Sequence, residues 1–191
     1  GPGVVVDHAV RMRRLRDTDS AAARLAAGSL SLGHLRALAE RLALFYADNA
    51  KTPAFGAPSI LAASIEENLR QTRPAFGIVD ADAARRTHAW QCEQLARLSP
   101  RLETRVAEGR VREGHGDLRL EHVYVEGEDV LVIDPIEFNA AFRCADVALD
   151  VAFLAMELDA AGRRDLGAAF LGAFAAASND FGFYPLLDLF L

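Results

Sequence analysis

The chain has 191 residues, 51% hydrophobic and 25% charged, with 27 acidic against 21 basic side chains and a formal charge of −6. That composition suits one globular domain, or one large lobe of a bigger protein, and excludes a disordered chain. The acidic balance argues against nucleic acid as a partner, because phosphate neutralisation demands a basic face. No apolar run is long enough to span a membrane, no signal peptide is visible, and Cys92 and Cys144 show neither metal-type spacing nor a disulfide framework, so a cytoplasmic setting is expected.

The first element, VVVDHAVRM (4–12), reads as a strand, with His8 packing in it or on its surface. The cationic cluster from Arg11 to Arg16 reads as a solvated strand exit in preference to a phosphate site. DTDS (17–20) supplies helix-start chemistry for a short Ala-rich helix that Gly28 stops. Ser31 caps a longer helix whose Leu32, Leu35, Leu38, Leu42 and Phe45 form one core-facing stripe, with His34 off it. TPAFGAPS (52–59) is a loop, Ser59 opens a helix that ends before Pro74, and Asp80 or Asp82 caps another running through Trp90 to Leu98. Ser99-Pro100 reads as an N-cap followed by proline at the first helical position, opening a separate helix toward Gly109. Trp90 and Cys92 read as helix packing.

The densest stretch is EGHGDLRLEHVYVEGEDVLVIDPIEFNAAFRCADVALD (113–150). VYVE (123–126) and VLVID (130–134) are apolar, β-branched runs around a polar turn containing Gly127, the pattern of a β-hairpin. A hairpin returns its ends to one place, so the loop holding Asp117 and His122 is expected beside the loop that leaves at Asp134. Two carboxylates and an imidazole then face one pocket, which suits a divalent cation and an acid/base group. Pro135 to Arg143 reads as a loop and ADVALDVAFLAMEL (145–158) as a helix on which Asp146 and Asp150 share a face, a like-charge pair that needs compensation. Gly162 ends that helix, and RRDLGAAFLGAFAAASN forms another. The final LLDLFL (186–191) has no stop signal, so the chain is expected to be a piece of a longer protein. One short strand, one hairpin and about seven helices make a mainly α fold with a small β element, α+β in class.

HGDLRLEH followed by VLVIDPIEF resembles the catalytic and metal-binding loops of the aminoglycoside-phosphotransferase-like kinases, relatives of the eukaryotic protein kinases. IEFN (136–139) is similar to a bacterial subgroup often fused to a C-terminal P-loop ATP-binding domain. The resemblance is densest over 113–158 and implies a protein-kinase-like C-terminal lobe with the N-lobe largely absent. Before Val4 there is no Gly-rich phosphate loop or strand-borne lysine, and no GxxxxGK[ST] occurs. Residues 1–16 would then be hinge strand and linker, with Met12 and Arg13 facing nucleotide, and 17–191 the helical lobe.

Carried over by position, the resemblance implies that Asp117 is the catalytic carboxylate for an acceptor hydroxyl and that Asp134 binds metal. His122 stands where most of the family has asparagine. It would be a second metal ligand, an orienting donor, or a sign of weakened activity. The resemblance further implies that His115 braces the loop, and that Asp146 accepts its backbone hydrogen bonds with Arg143 as counter-ion. ATP and Mg²⁺ are the implied cofactors, with Mn²⁺ admitted because imidazole suits it better. The implied activity is transfer of the γ-phosphate to a small-molecule hydroxyl, the fragment alone being inactive. Two alternatives stay open: a catalytically silent kinase-like module attached to a P-loop ATPase, and a metal-dependent phosphohydrolase using His115, Asp117, His122 and Asp134. Asp180-Phe181-Gly182 spells the protein-kinase metal triplet, but no hairpin connects it to Asp117, and it reads as the end of a helix.

Overall fold

The computed structural model describes residues 6, 7, 9 and 11–190. The strand expected over 4–12 falls partly outside them, at 4, 5, 8 and 10. The described residues of that stretch carry no strand, and Met12 and Arg13 lie in irregular chain. Arg13 is paired with Glu126 at the hairpin tip.

Helix α1 (Ala21–Ala26) is capped by Ser20, whose hydroxyl accepts the Ala23 N–H at 3.1 Å. Arg24 of α1 donates to the Val125 carbonyl at 3.0 Å and so straps this helix to the hairpin. Helix α2 (Leu32–Asp48) begins with a reciprocal cap, the Ser31 hydroxyl taking the His34 N–H while His34 Nδ1 takes the Ser31 N–H. Leu35, Leu38 and Leu42 are buried as the spacing demands, but Leu32 and Phe45, at 59% and 38% exposure, are not. The buried face is rotated toward Ala39, Ala43 and Tyr46, because α2 lies along the helix Arg164–Ser178 and Tyr46 stacks edge-on against Phe174, ring centroids 6.0 Å apart.

Helices α3 (Pro58–Thr72) and α4 (Ala81–Ala107) pack as a helical hairpin, α4 starting at Asp80, whose carboxylate accepts two N–H groups. The break expected at Ser99-Pro100 does not occur: α4 runs unbroken through Pro100, and the Ser99 hydroxyl donates to the Leu95 carbonyl at 2.7 Å. A proline inside a helix costs about 3 kcal/mol. Burial of Leu95, Leu98 and Leu102 along one stripe on both sides of it offsets that cost.

Strand β1 (Val111–Glu113) pairs antiparallel with residues Cys144–Asp146, and β2 (Val123–Glu126) with β3 (Asp129–Val132) in the expected hairpin, Val123 opposite Val132 and Glu126 opposite Asp129. Gly127 takes the first loop position with φ +66, the sign that tight primed hairpin turns require. The 135–143 loop ends in a turn of helix, α5 (Ala140–Arg143), and β4 (Cys144–Asp146) occupies the start of the stretch expected to be helical. Helix α6 (Ala148–Ala160) therefore begins three residues later than expected, with the Asp146 carboxylate accepting the Ala148 N–H at 2.9 Å. Helices α7 (Arg164–Ser178) and α8 (Leu187–Phe190) complete the chain.

The described residues thus form a mainly helical fold with two small antiparallel sheets. The core lies between α2, α6 and α7, filled by Val151, Leu154, Phe170 and Phe174. None of the described helices is long and apolar enough to cross a membrane.

Candidate active site

The hairpin brings its two flanking loops together, and backbone hydrogen bonds join them. The Ile133 N–H donates to the His122 carbonyl at 3.0 Å and the Ile136 N–H to the His115 carbonyl at 2.9 Å. The buried His115 ring adds a third tie, Nε2 donating to the Ile133 carbonyl at 2.8 Å while Nδ1 accepts the Asp117 N–H at 3.3 Å. With both nitrogens engaged, His115 is a neutral cross-brace. Its ring stacks on His122, centroids 5.5 Å apart.

His122 is held differently. Its Nδ1 donates to the Asp117 carbonyl at 2.8 Å, which places the proton on that nitrogen and makes Nε2 the atom available to a metal. Asp134 Oδ2 lies 3.9 Å from that Nε2 and Asp117 Oδ2 lies 4.0 Å from Nδ1. The first gap is too long for a hydrogen bond. A cation bonded to both atoms at about 2.1 Å would need them near ~3.4 Å in tetrahedral or ~3.0 Å in octahedral geometry, so the exposed Asp134 would close in by about half an ångström or more. Glu121 Oε1 also lies 4.0 Å from Nε2, but it is paired with Arg119 at 2.7 Å. The Asp134 side chain is 80% exposed and its backbone is left-handed, φ 62, a conformation that costs a non-glycine residue about 1–2 kcal/mol. Asp117 is also accessible, with 41% of its side chain exposed. Asp134 and His122 Nε2, open to solvent on one side, are donors that suit a hard or borderline divalent cation, while Asp117 faces the other ring nitrogen.

The loop that carries Asp117 is braced by Asp150 of α6, not by Asp146. Asp150 Oδ2 accepts the His115 N–H at 2.8 Å and the Tyr46 hydroxyl at 2.9 Å, and Oδ1 accepts the Gly116 N–H at 2.9 Å. Burial pushes the Asp150 carboxyl above the ordinary range, against the pull of these donors, and burial beside its charge pushes the Tyr46 phenol well up. Gly116 has φ +83, and a Cβ there would stand 2.7 Å from the Phe142 carbonyl oxygen, so only glycine lets the loop pass.

Asp146 instead receives both faces of the Arg105 guanidinium fork, Nε at 2.6 Å and Nη2 at 2.7 Å. The same arginine, fully buried, also binds Asp180, Nη1 at 2.9 Å and Nη2 at 3.0 Å. Burial works against both charges, yet their mutual hydrogen bonds win: Arg105 is held above its usual value and Asp180 below the carboxylate range. Asp180 follows the left-handed Asn179 that ends α7 and is a structural anchor there. Arg143 is not the counter-ion of Asp146. It pairs with Glu113 at 2.8 Å and donates to the Glu137 carbonyl at 3.2 Å. Asn139 caps α5 through the Ala141 N–H at 2.9 Å. The compensation required for Asp146 and Asp150 thus comes from Arg105 for one, and from Tyr46 and two loop amides for the other.

Sequence reasoning missed Arg105, Tyr46 and Asp150 in these roles. It missed Glu157 too, which accepts the Leu120 N–H at 2.6 Å and Arg119 Nε at 3.1 Å. The available signal was the pair of apolar-face positions occupied by Arg105 and Asp150, charged residues that helical periodicity places inward. Among the described residues, three metal-type donors that all close within 4.8 Å of one another occur elsewhere, at Glu66, His88 and Cys92. Cys92, read above as helix packing, is exposed and lies one helical turn from His88.

Over 187 residues the chain is 34% identical to uncharacterized proteins of Mycobacterium bovis and of two Mycobacterium tuberculosis strains, an alignment that covers 95% of this chain. The chain spans 37% of the length of these curated relatives. No family model and no solved structure matches it.

Proposed function

We propose that this chain is the C-terminal lobe of an aminoglycoside-phosphotransferase-like kinase, and that the whole protein transfers the γ-phosphate of ATP to a hydroxyl of a small molecule. The observation that supports the reading is the placement of Asp117 and Asp134 on either side of the His122 ring, 4.0 Å from Nδ1 and 3.9 Å from Nε2, across a hydrogen-bonded hairpin base.

In this reading the accessible Asp117 orients the acceptor hydroxyl and takes up its proton as the oxygen attacks phosphorus. Asp134 and His122 Nε2 would hold the cation. A bound Mg²⁺ would supply neutralisation of the charge that develops on the transferred phosphate, and the imidazole would favour Mn²⁺ as a substitute. Asp150, Tyr46 and His115 keep the loop in register, so that Asp117 does not have to be ordered at the moment of reaction. Met12 and Arg13, beside the hairpin tip through the Arg13–Glu126 pair, are assigned to the hinge. The reading gives an ATP-covering N-terminal lobe and a C-terminal P-loop domain to the part of the relatives' length that this chain does not match.

The test is phosphate transfer by the full-length protein to a panel of small hydroxyl compounds. Asp117→Asn is expected to lower transfer about 10²–10⁴-fold while Mg²⁺-dependent ATP binding persists. Unaltered transfer in that variant removes Asp117 from the mechanism. Absence of Mg²⁺-dependent ATP binding at full length would instead identify a silent kinase-like module.

A further inference from the structure

The helical hairpin of α3 and α4 carries a second cluster of donors, on different elements from the loop and hairpin above and independent of the kinase reading. His88 and Cys92 are four residues apart on α4 and therefore stacked on one face. Glu66 meets them from α3. Its Oε1 lies 2.9 Å from His88 Nε2, and Cys92 Sγ lies 3.7 Å from the same nitrogen.

Hydrogen bonding satisfies this arrangement poorly, because Nε2 carries at most one proton. If that proton goes to Glu66, the sulfur gains little from it at 3.7 Å. If the thiol donates to Nε2, the Glu66 carboxylate confronts a lone pair. A cation between them takes the imidazole lone pair, a carboxylate oxygen and a thiolate at once. Tetrahedral zinc with bonds of about 2.1 Å to nitrogen and oxygen and about 2.3 Å to sulfur requires N···S near ~3.6 Å and N···O near ~3.4 Å. The first matches the structure. The second needs Glu66 to back off by about half an ångström, which a side chain 66% exposed can do.

We propose that Glu66, His88 and Cys92 form a zinc site that clips α3 to α4, with three protein ligands and water in the fourth position. Carboxylate and thiolate balance the two charges of Zn²⁺, and binding releases the Cys92 thiol proton to solvent. Thiolate and imidazole favour zinc over Mg²⁺ or Ca²⁺. Glu66 and Cys92 line a shallow groove with Ala62 and Ser99, which leaves the fourth position open to water. The clip has a structural purpose here, because Ile65 is the one buried residue of α3, with Leu61 and Ala62 only partly buried against the core.

The test titrates the 191-residue chain with Co²⁺ as an optical reporter and then with Zn²⁺. The expected result is one equivalent of tetrahedral Co²⁺ with a sulfur-to-metal charge-transfer band, displaced by Zn²⁺ and unaffected by excess Mg²⁺. Cys92→Ser should abolish the band, and Cys144→Ser should leave it. Glu66→Gln and His88→Gln should each weaken binding by at least about ten-fold, since losing even a group behind a ligand costs that much. Zn²⁺ should also slow amide exchange in α3 of the parent chain but not of Cys92→Ser. The three ligand positions face solvent, and circular dichroism checks that the variants fold. Absence of the charge-transfer band overturns the proposal, as does a band that survives Cys92→Ser or is lost in His122→Gln but not in His88→Gln.

Discussion

Replacing Asp150 with asparagine tests how the Asp117 loop is held. The two carboxylate oxygens serve three donors, the Tyr46 hydroxyl, the His115 N–H and the Gly116 N–H. An asparagine has one acceptor oxygen. Turned toward Tyr46 and His115, it points its NH₂ at the Gly116 N–H, and turned the other way it faces the His115 N–H instead. Either orientation leaves one buried backbone donor without a partner, at about 1–3 kcal/mol. The retained hydrogen bonds lose their charge assistance, but the cost of burying a charge disappears too, and these two effects oppose each other. A net loss of about 1–3 kcal/mol is therefore expected in urea unfolding at neutral pH, with faster exchange of the His115 and Gly116 amides.

The pH dependence of that difference has a definite sign. Asp150 has a folded pKa raised above its unfolded value. Its contribution is fully present below the ordinary carboxyl value of about 4 and is lost as pH rises through the folded value. The parent's advantage over Asp150→Asn should therefore shrink as pH rises across that window. A variant as stable as the parent, with unchanged His115 and Gly116 amide protection, would refute the assignment of Asp150 as the loop's brace.

Arg105→Met should lose about 3–5 kcal/mol, because it strips buried Asp146 of its cation and leaves buried Asp180 only Arg110, at 3.6 Å; denaturant unfolding measures it. Asp180 has a depressed folded pKa, so its share of stability is present above the ordinary carboxyl value and lost as pH falls through the folded one. The Arg105→Met penalty should accordingly diminish in acid. Gly116→Ala, with a Cβ driven against the Phe142 carbonyl oxygen and a positive φ, should displace the 115–117 loop and cost about 1–3 kcal/mol, read by unfolding and by the His115 ring resonances. Asp134→Gly should leave stability unchanged or raise it by up to about 1 kcal/mol, by relieving the left-handed backbone, while weakening divalent-cation binding in calorimetry.

The parts of the fold legible in the sequence are those set by local chemistry. The β2–β3 register follows from alternation around Gly127, and the starts of α1, α2 and α4 follow from Ser20, Ser31 and Asp80. Two features were hidden because distant partners decide them. Pro100 lies inside α4, where the buried leucines on either side hold the helix through it. The β1–β4 pair forms between segments more than thirty residues apart, and each strand is only three residues long, too short for alternation to register. The same rule applies to the site. The hairpin made the approach of Asp117, His122 and Asp134 readable, because the link between them is local. The brace was misassigned because Asp146 and Asp150 are both acidic, near in sequence and adjacent to the loop. Only the packing of α2 and α4 decides between them, by bringing Tyr46 to one and Arg105 to the other.

The claim that His122 and Asp134 hold one cation with Asp117 beside it is tested most directly by paramagnetic broadening. Mn²⁺ would be titrated in the presence of ATP into isotope-labelled chain carrying Cys92→Ser, so that the α3–α4 cluster does not compete. The side-chain resonances of Asp117, His122 and Asp134 should broaden together at one Mn²⁺ concentration, and Asp134→Asn should remove the effect from all three. Broadening of Asp117 and Asp134 at separate concentrations, or of neither at any, would contradict the shared site.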